Sequence, residues 1–122
     1  MAMRVLLVED EPNIREALRF ILARAGFDVS VHGDGASAAS AAAAARPDVM
    51  ILDVMLPGRS GYEVLRELRG MAGTATLPVL MLTARGQPKD RAAAIEAGAT
   101  RFMTKPFSND EVLAAVREMA GG

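Results

Sequence analysis

A chain of 122 residues has room for one domain with a real core but hardly for two, and a composition 51% hydrophobic and 24% charged is that of a globular protein. A formal net charge of -1 gives no electrostatic footprint for nucleic acid or an anionic membrane, the lack of cysteine excludes disulfides and thiolate metal sites, and no apolar run approaches the roughly 18 residues of a spanning helix. The N-terminus MAMRVLLVEDE turns acidic too soon for a signal peptide, so a cytoplasmic protein with one domain over residues 1–122 is expected.

Arg4 to Val8 (RVLLV) is an apolar run leading into Glu9 and Asp10, which reads as a buried strand with carboxylates at its carboxyl end. Pro12 suits the first turn of a helix, and Ile14, Ala17, Leu18, Ile21 and Leu22 recur at helical spacing until Gly26. Phe27 to Val31 alternates apolar and polar, as a half-exposed edge strand does. Ala36 to Ala45 is nearly all alanine. Such a run can be a flexible linker, but alanine is the best helix former and the run lies between two strands, so it predicts a second helix with a thin packing face, ended by Pro47. Val49 to Leu52 then runs straight into Asp53 and a turn containing Pro57 and Gly58, the pattern of a central strand buried on both faces. Ser60 and Glu63 form a capping box for a third helix that carries Val64, Leu65 and Leu68 inward and closes at Gly70 and Gly73. Pro78 precedes Val79 to Leu82, a fourth strand ending in Thr83 and Ala84; Gln87 to Ala97 predicts a fourth helix, stopped by Gly98. Ala99 to Thr104 reads as a fifth strand, followed by Lys105 and Pro106. Ser108 and Glu111 repeat the capping box before a last helix with Val112, Leu113, Val116 and Met119 inward.

Five strands alternating with five helices predict an α/β fold, a doubly wound parallel sheet with helices on both faces, because parallel strands need right-handed crossovers. Glu9 and Asp10, Asp53, Thr83 and Lys105 then fall at the carboxyl ends of strands, where such sheets bind ligands. Taken singly, each has a plain explanation as a cap or turn residue. Together they place three carboxylates in one crevice, which repel unless a cation joins them, and a hard oxygen site with few protein ligands suits Mg2+. Beside such a metal, Lys105 can neutralise and Thr83 can hydrogen-bond a phosphoryl group, with the Asp53 carboxylate as nucleophile.

The segments VLLVEDEP, ILDVMLPGRSG, LTA and FMTKPF, in this order and spacing, resemble the response regulator receiver domains (CheY-like) of two-component signalling over nearly the whole chain. The resemblance implies a flavodoxin-like sheet of order 2-1-3-4-5 and an aspartyl phosphate formed on Asp53 from a histidine kinase or phosphotransfer protein. It implies Mg2+ held by Asp10, Asp53, Glu9 partly through water, and the backbone carbonyl of Met55. Thr83 and Phe102 match the hydroxyl and aromatic ring that move together in the family's switch, and Lys105-Pro106 matches a bond that is cis there and aims the lysine into the crevice. Such a domain is not an enzyme of external substrates. It promotes its own phosphorylation and dephosphorylation and signals to an output partner, or to an output domain, without touching nucleic acid or membrane itself.

Two other readings compete. A phosphatase of the haloacid dehalogenase type also uses an Asp after a buried strand, but needs a second carboxylate two residues on, where this chain has Met55. A pseudo-receiver, binding partners without phosphorylation, is disfavoured by a complete set of site residues. His32 reads as a surface residue, Arg66 and Arg69 as a solvated helix face, and the eight methionines mostly as core fillers, with Met55 the exception for its place beside Asp53. Thr100 and Arg101 stand where dimerising receivers carry acids, and Ala114 and Ala115 offer no positive partner, so a monomer or a weak phosphorylation-dependent dimer is expected. Met55 and Arg85 flank the path of a hydrolytic water without offering a base, so a long-lived phosphate is expected.

Overall fold

Five parallel strands, β1 (Arg4–Val8), β2 (Asp28–His32), β3 (Val49–Asp53), β4 (Val79–Thr83) and β5 (Arg101–Thr104), form one sheet in the order β2-β1-β3-β4-β5. The computed structural model describes residues 2–84 and 86–121. Helices α1 (Pro12–Arg24) and α5 (Asn109–Gly121) cover one face, where Leu18, Leu22, Val112 and Val116 pack on Val5, Leu7, Ile51 and Leu80. Helices α2 (Ala38–Ala45), α3 (Gly61–Arg69) and α4 (Pro88–Ala97) cover the other, packing Ala42, Val64, Leu65, Leu68 and Ala94 on Leu6, Val8, Met50 and Met81. Every residue of β3 and β4 is buried, as the unbroken apolar runs predicted, because successive side chains enter opposite cores.

After β1 the chain goes out to β2 on one side and returns to β3 on the other, so the carboxyl ends of β1 and β3 flank a topological switch point. Register makes the edge level: Val8 pairs with Leu52, Asp53 with Leu82, and Thr83 with Thr104, so Glu9, Asp53, Thr83 and Lys105 arrive at one height.

The elements differ from the sequence reading only at their ends. Strand β2 lies one residue later than Phe27–Val31, and α2 begins at Ala38 because residues 33–37 form a turn tied by Ser37 N to Asp34 Oδ1 at 2.9 Å. Strand β5 starts at Arg101, since the Thr100 hydroxyl accepts from Val79 N at 3.0 Å and turns the chain into the sheet. Arg69 departs from its expected place on a solvated face. It lies half-buried over Gly98 and donates to the carbonyls of Gly98, Thr74 and Ala75, joining the carboxyl ends of α3 and α4 while burial lowers its pKa.

Both capping boxes form: Ser60 Oγ accepts from Glu63 N at 3.3 Å while Glu63 Oε1 accepts from Ser60 N at 3.3 Å, and Ser108 and Glu111 do the same at 3.1 Å. Helix α3 carries Val64, Leu65 and Leu68 into the core from just beyond its cap. Replacing Ser60 with Ala leaves the Glu63 amide without its partner and is expected to lower stability by about 1 kcal/mol in urea unfolding, without changing the slope of the transition.

Candidate functional site

Glu9 and Asp53 are 0% and 2% exposed, which two carboxylates tolerate only when paired. Their shared partner is Lys105, whose Nζ lies 3.1 Å from Glu9 Oε1 and 2.9 Å from Asp53 Oδ2. The remaining oxygens are also met: Glu9 Oε2 accepts from Glu11 N at 3.1 Å and Asp53 Oδ1 from Met55 N at 3.2 Å. The backbone of Lys105 is fixed too, its amide donating to Thr83 O at 2.7 Å, and the Lys105-Pro106 bond is cis. Asp10 is exposed at the mouth of a crevice of about 460 Å3 that Glu9, Glu11, Asp53, Met55 and Lys105 also line.

Carboxylate oxygens of Glu9, Asp10 and Asp53 lie within 4.8 Å of one another, three carboxyl groups beside one ammonium. Burial first, and then the hydrogen bond and charge of Asp53, push Glu9 up to about 7, although the Glu11 amide and Lys105 pull the other way. For Lys105 burial disfavours the charged form, but the hydrogen bonds and charges of Asp53 and Glu9 outweigh it and raise its pKa. A divalent cation among these oxygens relieves the crowding directly, and an all-oxygen donor set fits Mg2+ better than a softer metal.

The structure therefore gathers Glu9, Asp10, Asp53 and Lys105 into one crevice. Thr83 is buried on the neighbouring strand end, and Phe102 stands half-buried on β5, paired in register with Met81 and hence on the same side of the sheet as Thr83. With Arg91, Ile95 and Arg101, Phe102 lines a cavity of about 240 Å3 between α4 and β5. Met55 is 71% exposed, while Arg85 lies outside the described residues. His32 is kept from the acidic cluster, its Nε2 lying 2.8 Å from Ser37 Oγ.

Gly61 escaped the sequence reading. A Cβ there would stand 2.3 Å from the carbonyl oxygen of Asp53, so only glycine lets α3 begin against the end of β3; its amide donates to Val54 O at 2.8 Å. A glycine directly after a capping serine was the available signal, but close approach leaves no periodic trace in a sequence.

A family model described as the response regulator receiver domain matches residues 5–117. The DNA-binding response regulator MtrA of Mycolicibacterium smegmatis is 42% identical over 117 residues, 96% of this chain and 50% of its own length. The chain spans about half the length of the curated relatives it matches. Among solved structures, chemotaxis response regulator CheY4 of Vibrio cholerae superposes with a TM-score of 0.91 at 32% identity, covering 98% of this chain and 99% of that one. The receiver domain of sensor histidine kinase PA1611 from Pseudomonas aeruginosa, with a magnesium ion coordinated in its active site cleft, gives 0.92 at 30% identity, with both chains fully covered.

The raised Glu9 pKa fixes a pH dependence. Unfolded Glu9 gives up its proton near 4.5 and folded Glu9 near 7, so unfolding releases a proton between those values and rising pH favours the unfolded chain. Metal-free protein is expected to gain this stability in full below about 4.5 and to lose it as pH rises through about 7, with Glu9→Gln flattening that part of the profile. Denaturant midpoints at a series of pH values in EDTA check it; an unchanged slope in Glu9→Gln would place the titration elsewhere.

Proposed function

The chain belongs to the response regulator receiver family of two-component signalling, and we propose that Asp53 is the carboxylate its phosphodonor modifies. One observation supports this above the rest: Asp53 is buried at the end of β3, bonded to an ammonium at 2.9 Å, with the oxygens of two further carboxylates within 4.8 Å. In the proposed transfer an Asp53 oxygen attacks phosphorus in line, a P–O bond forms, and the bond to the donor's nitrogen breaks with its electron pair leaving on the donor. Lys105 offers its ammonium to the incoming phosphoryl oxygens and Thr83 its hydroxyl. Glu9, Asp10 and Asp53, with the Met55 carbonyl, hold Mg2+, which when bound neutralises negative charge on the transferring group. A sensor kinase or phosphotransfer protein is the donor, as the family's signalling role requires.

Receiver domains are signalling domains. Self-catalysed gain and loss of phosphate is our reading for this one, with slow loss resting on Met55 alone among the described residues. Where a phosphatase needs a second carboxylate, Met55 supplies none. We read residues 1–122 as one receiver domain in the cytoplasm; no described helix is long and apolar enough to cross a membrane.

Output follows from Thr83 and Phe102. A phosphoryl group that engages the Thr83 hydroxyl draws it toward Asp53, and the ring of Phe102 follows along the same side of the sheet, changing the α4–β5 surface that a partner protein or output domain reads. DNA binding, named for the relative MtrA, is assigned to such an output part and not to this chain. Self-association is weak in this reading: Arg101 is already paired with Glu118 within the chain, and Ala115 is buried on the inner face of α5, against the sheet.

Incubation with acetyl phosphate and magnesium is expected to add one phosphoryl group, lost in Asp53→Asn, and to require roughly ten- to a hundredfold more magnesium in Asp10→Asn, since one of few anionic ligands is removed. Intact-protein mass spectrometry reads both; steady release of phosphate from an unrelated ester, or no modification at all, would replace the receiver reading. In sedimentation the phosphorylated protein is expected to remain a monomer at micromolar concentration, and a tight dimer would show that the Arg101-Glu118 pair opens to a second copy.

A further inference from the structure

The loop joining β3 to α3 carries Met55, and something must hold it. At its ends, Val54 N donates to Leu82 O at 2.9 Å and Gly61 N to Val54 O at 2.8 Å. Its middle is held by a different segment, the turn between β2 and α2: Gly35 N donates to Pro57 O at 2.8 Å, and the buried Gly35 lies flat against the loop's backbone. A Cβ added at Gly35 would stand 2.2 Å from the carbonyl oxygen and 2.9 Å from the carbonyl carbon of Arg59. Gly35 is not among the residues of positive φ, so its conformation suits any amino acid and only the space forbids one.

The turn is itself braced. Asp34 Oδ1 accepts from Ser37 N at 2.9 Å and from Ser37 Oγ at 3.0 Å, Ser37 Oγ meets His32 Nε2 at 2.8 Å, and Glu9 N donates to His32 O at 3.1 Å. This chain of contacts starts at the end of β1 beside Glu9 and closes on the backbone two residues beyond Met55. Both protein segments that supply the acidic crevice are thus fixed to one turn that contributes no ligand.

The geometry points to Gly35 as a positioning residue for magnesium binding and phosphoryl transfer, acting through the β3–α3 loop on the Met55 backbone and the Asp53 carboxylate. This rests on the reading of the Met55 carbonyl as a metal ligand. Real Cβ contacts do not fall below 3.0 Å, so alanine at 35 must drive the Arg59 carbonyl away by about 0.8 Å. A shift of that size in a segment that orients a ligand is enough to spoil the site, since misplacement by about 1 Å can cost about a hundredfold in rate. The Met55 amide, which holds Asp53 Oδ1, belongs to the same loop as that carbonyl.

The test compares magnesium titrations of the native protein, Gly35→Ala and Val116→Ala, followed by the backbone amide resonance of Met55. Val116→Ala lowers stability from the α5 core, on the opposite face of the sheet, and controls for a general loss of stability. Magnesium affinity is expected to fall about tenfold in Gly35→Ala, in the range seen for residues that orient ligands, and to stay at the native value in Val116→Ala. Native affinity in Gly35→Ala, or an equal loss in Val116→Ala, overturns the assignment. Failure of the native protein to bind magnesium overturns the metal reading and this inference with it. Should Gly35→Ala not fold, Asp34→Ala loosens the turn without a clash and carries the test: weakened magnesium binding supports the clamp, and native binding overturns it.

Discussion

The ammonium of Lys105, held between Glu9 and Asp53, is the interaction on which the arrangement depends. Two carboxylates with almost no solvent access are costly to keep ionised together without it, because an unpaired buried charge costs several kcal/mol. The pairs join residues 96 and 52 positions apart in the chain, so both depend on strands remote in sequence being brought to one edge of the sheet. Strand order does that work: β1 and β3 stand side by side at the point where the winding reverses, and β5 reaches the same edge by way of β4. A positive charge delivered there from the last strand is what lets the first and third end in acids.

The same lysine links the crevice to the sheet's outer strands. Its side chain bonds Asp53 while its amide bonds the carbonyl of Thr83, so a change of partner at Nζ is felt by the ends of β4 and β5 together. Charge balance favours such a change. Three carboxylates share one ammonium, and Asp53 adds to the burial that raises the pKa of Glu9, so a cation among them relieves the crowding. In the proposed function, an occupant that interacts differently with two arrangements of Lys105 would shift the balance between them.

Much of this was legible in the residues because it was written in periodicity and in punctuation. The central strands announce themselves as apolar runs ending in Asp53 and Thr83, and both capping boxes form as Ser60, Glu63, Ser108 and Glu111 promised. Ends were harder: nothing in Phe27 says that the first residue of β2 is Asp28, because register is settled by pairing with Arg4, a partner remote in sequence. Arg69 misled for a related reason. On its own helix it sits at an outward position, and the carbonyls that draw it in come from the turn after α3, at Thr74 and Ala75, and from Gly98 at the end of α4. Gly35 and Gly61 were invisible as site residues, since what makes them necessary is the backbone of Arg59 and of Asp53, and absence of a side chain carries no pattern.

Packing also decides where motion is cheap. Helix α3 buries Gly61, Val64, Leu65 and Leu68 and is capped at its start, whereas α4 buries only Ala94 and Ala97, has no side-chain cap, and leaves Ile95 60% exposed. Two alanines anchor a ten-residue helix with little apolar area, so displacing α4 gives up far less hydrophobic stabilisation than displacing α3 would. Beside α4 lies the cavity of about 240 Å3 lined by Phe102, so the ring has space to change position without overpacking the core. The fold thus sets a well-packed half, where β1, β3, α3 and the Gly35 turn surround the acids, against a half where α4 is held by little buried apolar area. In the proposed function, phosphoryl transfer draws on the first and a change at the α4–β5 surface on the second. The difference between the two halves is carried by nothing more exotic than leucines in one helix and alanines in the other.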